Sequence, residues 1–143
     1  GGFSMLHRQF ALLGAVALLG CAEPAAKPYY WKLVAIDGVP FTASARIAFP
    51  ETADGQKRVI GDGPCNSFSG TVVSEPFPTT RIEDVVATKR ACADMAAEQA
   101  FFSTLSEMTG EGVGIGYLYF VNDAGRRMDF KPEADLNPAL NAG

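Results

Sequence analysis

Two stretches decide the fold: Gly61-Asp62-Gly63-Pro64-Cys65-Asn66-Ser67-Phe68-Ser69-Gly70 and, 27 positions beyond Cys65, the close of Thr88-Lys89-Arg90-Ala91-Cys92. The first is dense in Gly, Pro, Asn and Ser, the residues that make tight turns. The second leads directly into the one strongly amphipathic helical pattern in the chain. The cysteine count is 3, an odd number, so a simple disulfide framework leaves one thiol over. If Cys21 is consumed by another modification, Cys65 and Cys92 remain and can pair. The alternative is two free thiols that serve as small buried hydrophobes.

Cys21 stands where such a modification is expected. Met5 reads as the natural start, with Gly1 to Ser4 as a tag remnant or upstream misread. His7 and Arg8 form a short cationic segment, and residues 10–19 are apolar. Ten residues are too few to span a hydrocarbon core of ~30 Å, which needs about 20 in a helix. Leu18-Leu19-Gly20-Cys21 resembles the lipobox of bacterial lipoproteins, in which the cysteine thiol takes a diacylglyceryl group and the preceding leader is removed. The other reading is an ordinary cleaved signal peptide with a chance cysteine. On the first reading, residues 1–21 are an address and 22–28 a tether reaching at most ~25 Å. The folded body covers 29–132, and 133–143 is a flexible tail. Ala22 and Glu23 follow the cysteine, and the absence of aspartate there favours the outer membrane, facing the periplasm.

Composition excludes several functions. Nearly half the residues (48%) are hydrophobic and 20% are charged, which is ordinary for one globular domain. Without the leader the chain keeps 11 Lys+Arg against 16 Asp+Glu, a net charge of 11 − 16 = −5. An acidic body without a basic cluster is a poor nucleic-acid binder. It is also poorly suited to holding anionic lipid by charge, so membrane attachment is expected through the lipid.

Past Tyr29 the sequence becomes a series of short alternating runs broken by turn residues. Residues 30–36, 45–49, 57–60, 68–73, 81–90 (one or two strands), 113–121 and 126–130 read as strands. Asp37-Gly38, Asp54-Gly55 and Asn122-Asp123-Ala124-Gly125 read as turns. A helix is predicted over 95–108. Asp94 is its N-cap, Ala97, Phe101, Leu105 and Met108 are its apolar stripe, and Gly110 stops it. The expected fold class is mainly β (α+β): seven to eight antiparallel strands in a small barrel or strongly curved sheet. The helix plugs one end or covers an open face. Trp31, Phe49, Phe68, Phe101 and Phe120 argue for a filled interior.

The order of these segments resembles the META-domain family, whose HslJ-like members are bacterial envelope lipoproteins. The residues that carry the resemblance are Trp31-Lys32-Leu33 with Asp37-Gly38, then Pro64-Cys65-Asn66-Ser67-Phe68-Ser69-Gly70, Thr88-Lys89-Arg90-Ala91-Cys92, Glu98 with Phe101-Phe102 and Leu105, and Tyr117-Leu118-Tyr119-Phe120. They span about 30–131. Pro64 stands where the family usually has Gly, and Lys89-Arg90 where Arg-Met is frequent. The resemblance implies lipocalin-like barrel topology and an envelope setting. It does not by itself imply an enzymatic activity, and no cofactor is expected.

An oxidising envelope lets a Cys65–Cys92 bridge persist, and closing such a loop stabilises by about 3–4 kcal/mol. Asn66, Ser67, Thr88 and Arg90 beside it are candidate binding residues, although Asn66 also fits turn chemistry and the others a solvated strand face. Gly70 is expected to mark a bulge or a close backbone approach. His7, the only histidine, lies in the leader. The body is therefore expected to lack Ser-His or Cys-His nucleophile pairs and histidine-ligated metal sites, and it reads as non-enzymatic. Glu83-Asp84 are neighbours on a strand and point to opposite faces. The 112–116 run of alternating glycines follows a helix, the wrong order for a phosphate loop. Two functions follow. One is a binding or structural lipoprotein for an envelope protein or small apolar ligand, linked to envelope stress tolerance. The other is a pilotin-like assembly factor that grips a partner segment in an apolar groove of an outer-membrane or secretion component.

Overall fold

The computed structural model describes residues 27–136. Its elements are β1 (Trp31–Ile36), β2 (Val39–Pro40), β3 (Arg46–Ala48), β4 (Arg58–Asp62), β5 (Ser67–Val73), β6 (Arg81–Ala87), α1 (Met95–Glu107), β7 (Gly110–Gly114), β8 (Tyr117–Val121), β9 (Arg127–Pro132) and α2 (Glu133–Leu136). Eight strands run as one antiparallel path, β6-β5-β4-β3-β1-β9-β8-β7, and β2 pairs with β1 alone. The result is a mainly β half-barrel with one main helix, a small lipocalin-like architecture.

Ring closure is replaced by α1. The terminal strands β6 and β7 meet where they begin, through the Thr80 N–H donating to the Thr109 carbonyl at 3.0 Å. Between them in sequence, α1 packs against β6 and sends Phe101 and Leu105 into the core, with Met108 just past its end. These meet Leu33, Ile47, Val59, Phe68, Ile82, Leu118, Phe120, Met128 and Phe130, which alternate along the strands. The interior is therefore filled by side chains. Phe68 meets Phe101 and Phe102 at 5.6 and 5.2 Å between centroids, in the edge-to-face geometry that aromatic quadrupoles favour.

Antiparallel pairing along the path sorts the strand termini into two ends. At one, here the near end, lie Trp31, Ala48, Arg58, Val73, Arg81, Gly114, Tyr117 and Pro132, with α2 and the entry of the chain from residue 27. The far end holds Ile36, Arg46, Asp62, Ser67, Ala87, Gly110, Val121 and Arg127, with the turn between β4 and β5 and the start of α1 that the Cys65–Cys92 bridge ties to it.

Several expectations need correction. Residues 113–121 are a hairpin, not one strand: β7 turns through Ile115-Gly116 into β8. Its glycines are required by packing, because a Cβ at Gly112 or Gly114 would overlap the ring of Tyr119 or Tyr117 on the next strand. Phe49 is 38% exposed and belongs to a near-end rim rather than the core. The Asp94 carboxylate makes no capping bond, and α1 gives way at Met108, in extended geometry, before Gly110 opens β7. Residues 133–136 are not tail: α2 is held by the Glu133 N–H on the Tyr30 carbonyl at 3.0 Å and by a Glu133–Arg46 ion pair at 3.1 Å. Residues 137–143 lie outside the described part. The expected bulge occurs at Gly70, where the β5–β6 register slips and Asp84 takes φ 53°. Glu83 and Asp84 are consequently both exposed.

The far end is tied by ions. Asp37 and Gly38, at φ 52° and 79°, make a tight left-handed turn. The Asp37 carboxylate accepts from the Arg127 amide at 2.8 Å and from the Arg126 guanidinium at 2.9 Å. Arg126 reaches Glu107 of α1 with its other arm at 2.9 Å. The Arg127 amide first, and the Arg126 guanidinium second, hold the Asp37 carboxyl below its ordinary range. A carboxyl with a depressed folded value stabilises the fold above its unfolded pKa and loses that contribution as pH falls through the folded value. Asp37→Asn is therefore expected to flatten the loss of stability below about pH 4, read by denaturant titrations across that range. An unchanged acid limb would show that the clamp contributes nothing.

Candidate functional site

The turn between β4 and β5 carries the signature residues, and α1 supplies the group that organises them. Glu98 lies one helical turn before Phe101, on the buried side of α1, and is only 4% exposed. Its Oε1 accepts from the backbone amides of Cys65 at 2.9 Å and Asn66 at 2.7 Å. Its Oε2 accepts from the Asn66 side-chain amide at 2.6 Å. A Cβ at Gly63 would lie 2.8 Å from Oε1, so glycine there is a condition for the carboxylate's approach. Charge-assisted bonds of this kind are the strong ones, and three of them offset the cost of burying the carboxylate.

Asn66 is the second hub and is itself buried. Besides Glu98, its Nδ2 donates to the Arg90 carbonyl at 2.9 Å. Its Oδ1 accepts from the Thr88 hydroxyl at 2.9 Å and the Arg90 amide at 2.6 Å. Its own carbonyl accepts from the Gly63 amide at 2.7 Å, closing the turn. The Cys65–Cys92 disulfide is present, with Cα atoms 5.6 Å apart, and joins the same two segments covalently.

These distances divide the four candidate binding residues. Asn66 and Thr88 are brought together, but their polar atoms are engaged with the protein. Ser67 is exposed at the start of β5. Arg90 contributes its backbone to the hub, while its side chain is exposed. Beside the hub lies a shallow groove of about 380 Å³, floored by Ala87, Ala91, Met95 and Phe102 and edged by Lys89 and Arg90. A second cleft, of about 460 Å³, opens at the near end between Phe49, Pro50, Lys57, Arg58, Val72 and Glu111. Among the described residues no cluster of three or more His, Cys, Asp or Glu side chains could hold a metal. Cys21 lies outside the described residues.

Sequence reasoning placed Glu98 in the motif but gave it no role. A signal was available: Glu98, Phe101, Leu105 and Met108 share one helical face, so a carboxylate stands at the head of the apolar stripe. The structure makes Ala97 only half-buried and gives the interior position to Glu98.

Removal of either hub is expected to be expensive. Bonds to charged groups contribute about 1.5–3 kcal/mol each, and a stranded buried partner adds to the loss. Glu98→Ala and Asn66→Ala should each cost about 3 kcal/mol or more. A double-mutant cycle should show coupling above about 1 kcal/mol, and additive losses would mean that the two groups act independently. Cys65→Ser with Cys92→Ser should lower stability by about 3–4 kcal/mol in denaturant titration. A loss below about 1 kcal/mol would mean that the hub alone holds the two segments.

The comparisons agree with this architecture. The model of the META domain matches residues 25–135. A protein from Burkholderia xenovorans solved by NMR is similar in fold, at TM-score 0.57 and 19% identity over 79% of this chain and 94% of its own. A crystal structure of a DUF4847 family protein from Bacteroides vulgatus is similar at TM-score 0.54 and 14% identity, over 73% of this chain and 92% of its own. A further NMR structure matches at TM-score 0.56 and 21% identity, over 76% and 92% of the two chains. No curated protein matches. With the family model covering most of its length and the hub of Asn66, Glu98 and the disulfide built from the signature residues, the chain belongs to the META-domain family.

Proposed function

We propose that this protein is a non-enzymatic binding or structural lipoprotein of the bacterial envelope. It is attached through a lipid on Cys21 and acts in envelope stress tolerance by contact at its outer surface. One observation carries the reading: the polar atoms that the signature brings together are spent on one another. Both Glu98 oxygens, the Asn66 amide and the Thr88 hydroxyl are occupied by protein partners. A general acid, base or nucleophile needs an atom that faces substrate. The filled interior points the same way, since a ligand carried inside would need the space taken by Phe101, Phe120 and Phe130. What remains for recognition is the surface, where the partner is an envelope protein or a small apolar ligand.

A second reading, a pilotin-like assembly factor, draws on the groove beside the hub. Ala87, Ala91, Met95 and Phe102 give it an apolar floor, and the neighbouring edge strand β6 exposes Val85 and Val86. An amphipathic helix or an added strand could be taken there.

The attachment is tested by mass and lipid labelling of the protein expressed with its leader in a bacterial envelope. The expected product has lost residues 5–20, gained acyl mass at Cys21, and is two protons lighter from the bridge. Cys21→Ala should abolish both processing and label. A product that keeps its leader and carries no acyl group would overturn the envelope assignment.

A further inference from the structure

The helix α1 covers one end of the half-barrel. Its start is bridged to the β4–β5 turn, and its last residue, Glu107, reaches Arg126 beside the Asp37 turn. Both places belong to the far end. At the near end the inner face of the sheet runs on past the core toward solvent. Val113, paired with the buried Leu118 and so on the same inner face, is 59% exposed.

Side chains on a strand alternate between faces, so the inner face continues outward from the core two residues at a time. Ile47 leads to Phe49, Val59 to Lys57, and Val72 to Ser74. Glu111 stands opposite the core residue Phe120. Phe49, Lys57, Val72, Ser74 and Glu111 all line the near-end cleft of about 460 Å³. Small-molecule sites run to roughly 300–1,000 Å³, and the mouths of barrels are among the places where they occur. Phe49, Pro50 and Val72 supply the apolar part. One wall, the loop between β3 and β4, is fixed by its own hydrogen bonds. The Thr52 hydroxyl donates to the Gln56 carbonyl at 2.6 Å, the Gln56 amide to the Asp54 carboxylate at 2.9 Å, and the Gly55 amide to the Thr52 carbonyl at 3.1 Å. A preformed wall lowers the ordering cost of binding.

Two charges of opposite sign share this cleft. The Lys57 ammonium approaches the Ser74 hydroxyl at 3.4 Å, and the Glu111 carboxylate accepts from the Thr80 hydroxyl at 3.1 Å. Neither makes an ion pair among the described residues, with the other or with any third group. The lining adds one more charge of each sign, Arg58 and Glu51. A net anion would meet two carboxylates here, and a net cation two bases. A dipolar molecule escapes both penalties.

We propose that the near-end mouth binds a small zwitterion with an apolar body. Lys57 receives the anionic group, Glu111 the ammonium, and Phe49, Pro50 and Val72 the apolar part. This deepens the proposed function and rests on it in placing recognition at the outer surface, but it does not depend on Cys21. The required chemistry is offered by a short apolar peptide with free ends and by the phosphoethanolamine headgroup of a lipid.

The test is an NMR titration of isotope-labelled full-length Cys21→Ala protein, which has no acyl chain of its own to enter the cleft. The probes are leucyl-leucine and glycerophosphoethanolamine carrying one hexanoyl chain. At least one probe is expected to give saturable shifts at the amides of residues 49–58, Val72 and Glu111, with the hub amides of Asn66 and Arg90 unmoved. Lys57→Met and Glu111→Gln should each weaken that binding about tenfold or more. Both positions are exposed, and glutamine keeps an acceptor for Thr80, so the dispersion of the same spectra should show an intact fold. Molecules with one charge on a similar body, 4-methylpentanoate and 3-methylbutylamine, should bind about tenfold more weakly or worse. Tighter binding of the dipeptide names peptide ends as the source and tighter binding of the lipid analogue names headgroups, and either result upholds the site. No saturable shift with either probe, shifts confined to other parts of the molecule, or affinity that both variants leave unchanged would overturn it. Such a failure removes the small ligand and leaves the envelope assignment, which acyl mass on Cys21 tests separately.

Discussion

The rest of the structure depends on one buried carboxylate. Glu98 brings a negative charge from α1 to the β4–β5 turn, where two backbone amides and the Asn66 side chain receive it. A half-barrel whose terminal strands are not paired along their length needs something to fix the helix that stands in for the missing pairing. Apolar packing of Phe101, Leu105 and Met108 supplies most of the burial, but burial is non-directional and tolerates sliding. A carboxylate with three donors in fixed positions does not. The disulfide acts on the same two segments by a different route. It restricts the unfolded chain, while the Glu98–Asn66 hub acts through native hydrogen bonds, and a bridge alone would leave the register of α1 against the turn free to vary.

The hub also explains why glycine, asparagine and threonine occupy a stretch that could otherwise be any turn. Gly63 has no Cβ to meet Oε1. Asn66 is needed because it donates to two acceptors, Glu98 and the Arg90 carbonyl, while accepting from Thr88 and the Arg90 amide. Aspartate would lose the donors and set a second negative charge against Glu98. Such a network, fully satisfied, specifies one arrangement at some cost in desolvation.

Much of this was legible in the residues. Alternation marked most of the strands, the Asp37-Gly38 and Asn122–Gly125 turns announced themselves by composition, and the cysteine count set up the bridge. Illegible parts were those in which one element's meaning lies in another. Gly112 and Gly114 weaken a strand by propensity and were absorbed into one long strand with Tyr117 and Tyr119. Only the cross-strand pairing shows each ring lying over a glycine. Asp94 has the chemistry of an N-cap, but the chain reaches α1 straight from the bridge at Cys92, with Asp94 donating its amide to the Cys92 sulfur at 3.4 Å. Tertiary constraint displaced the local preference. Glu133 looked like tail because its partner, Arg46, is 87 positions away.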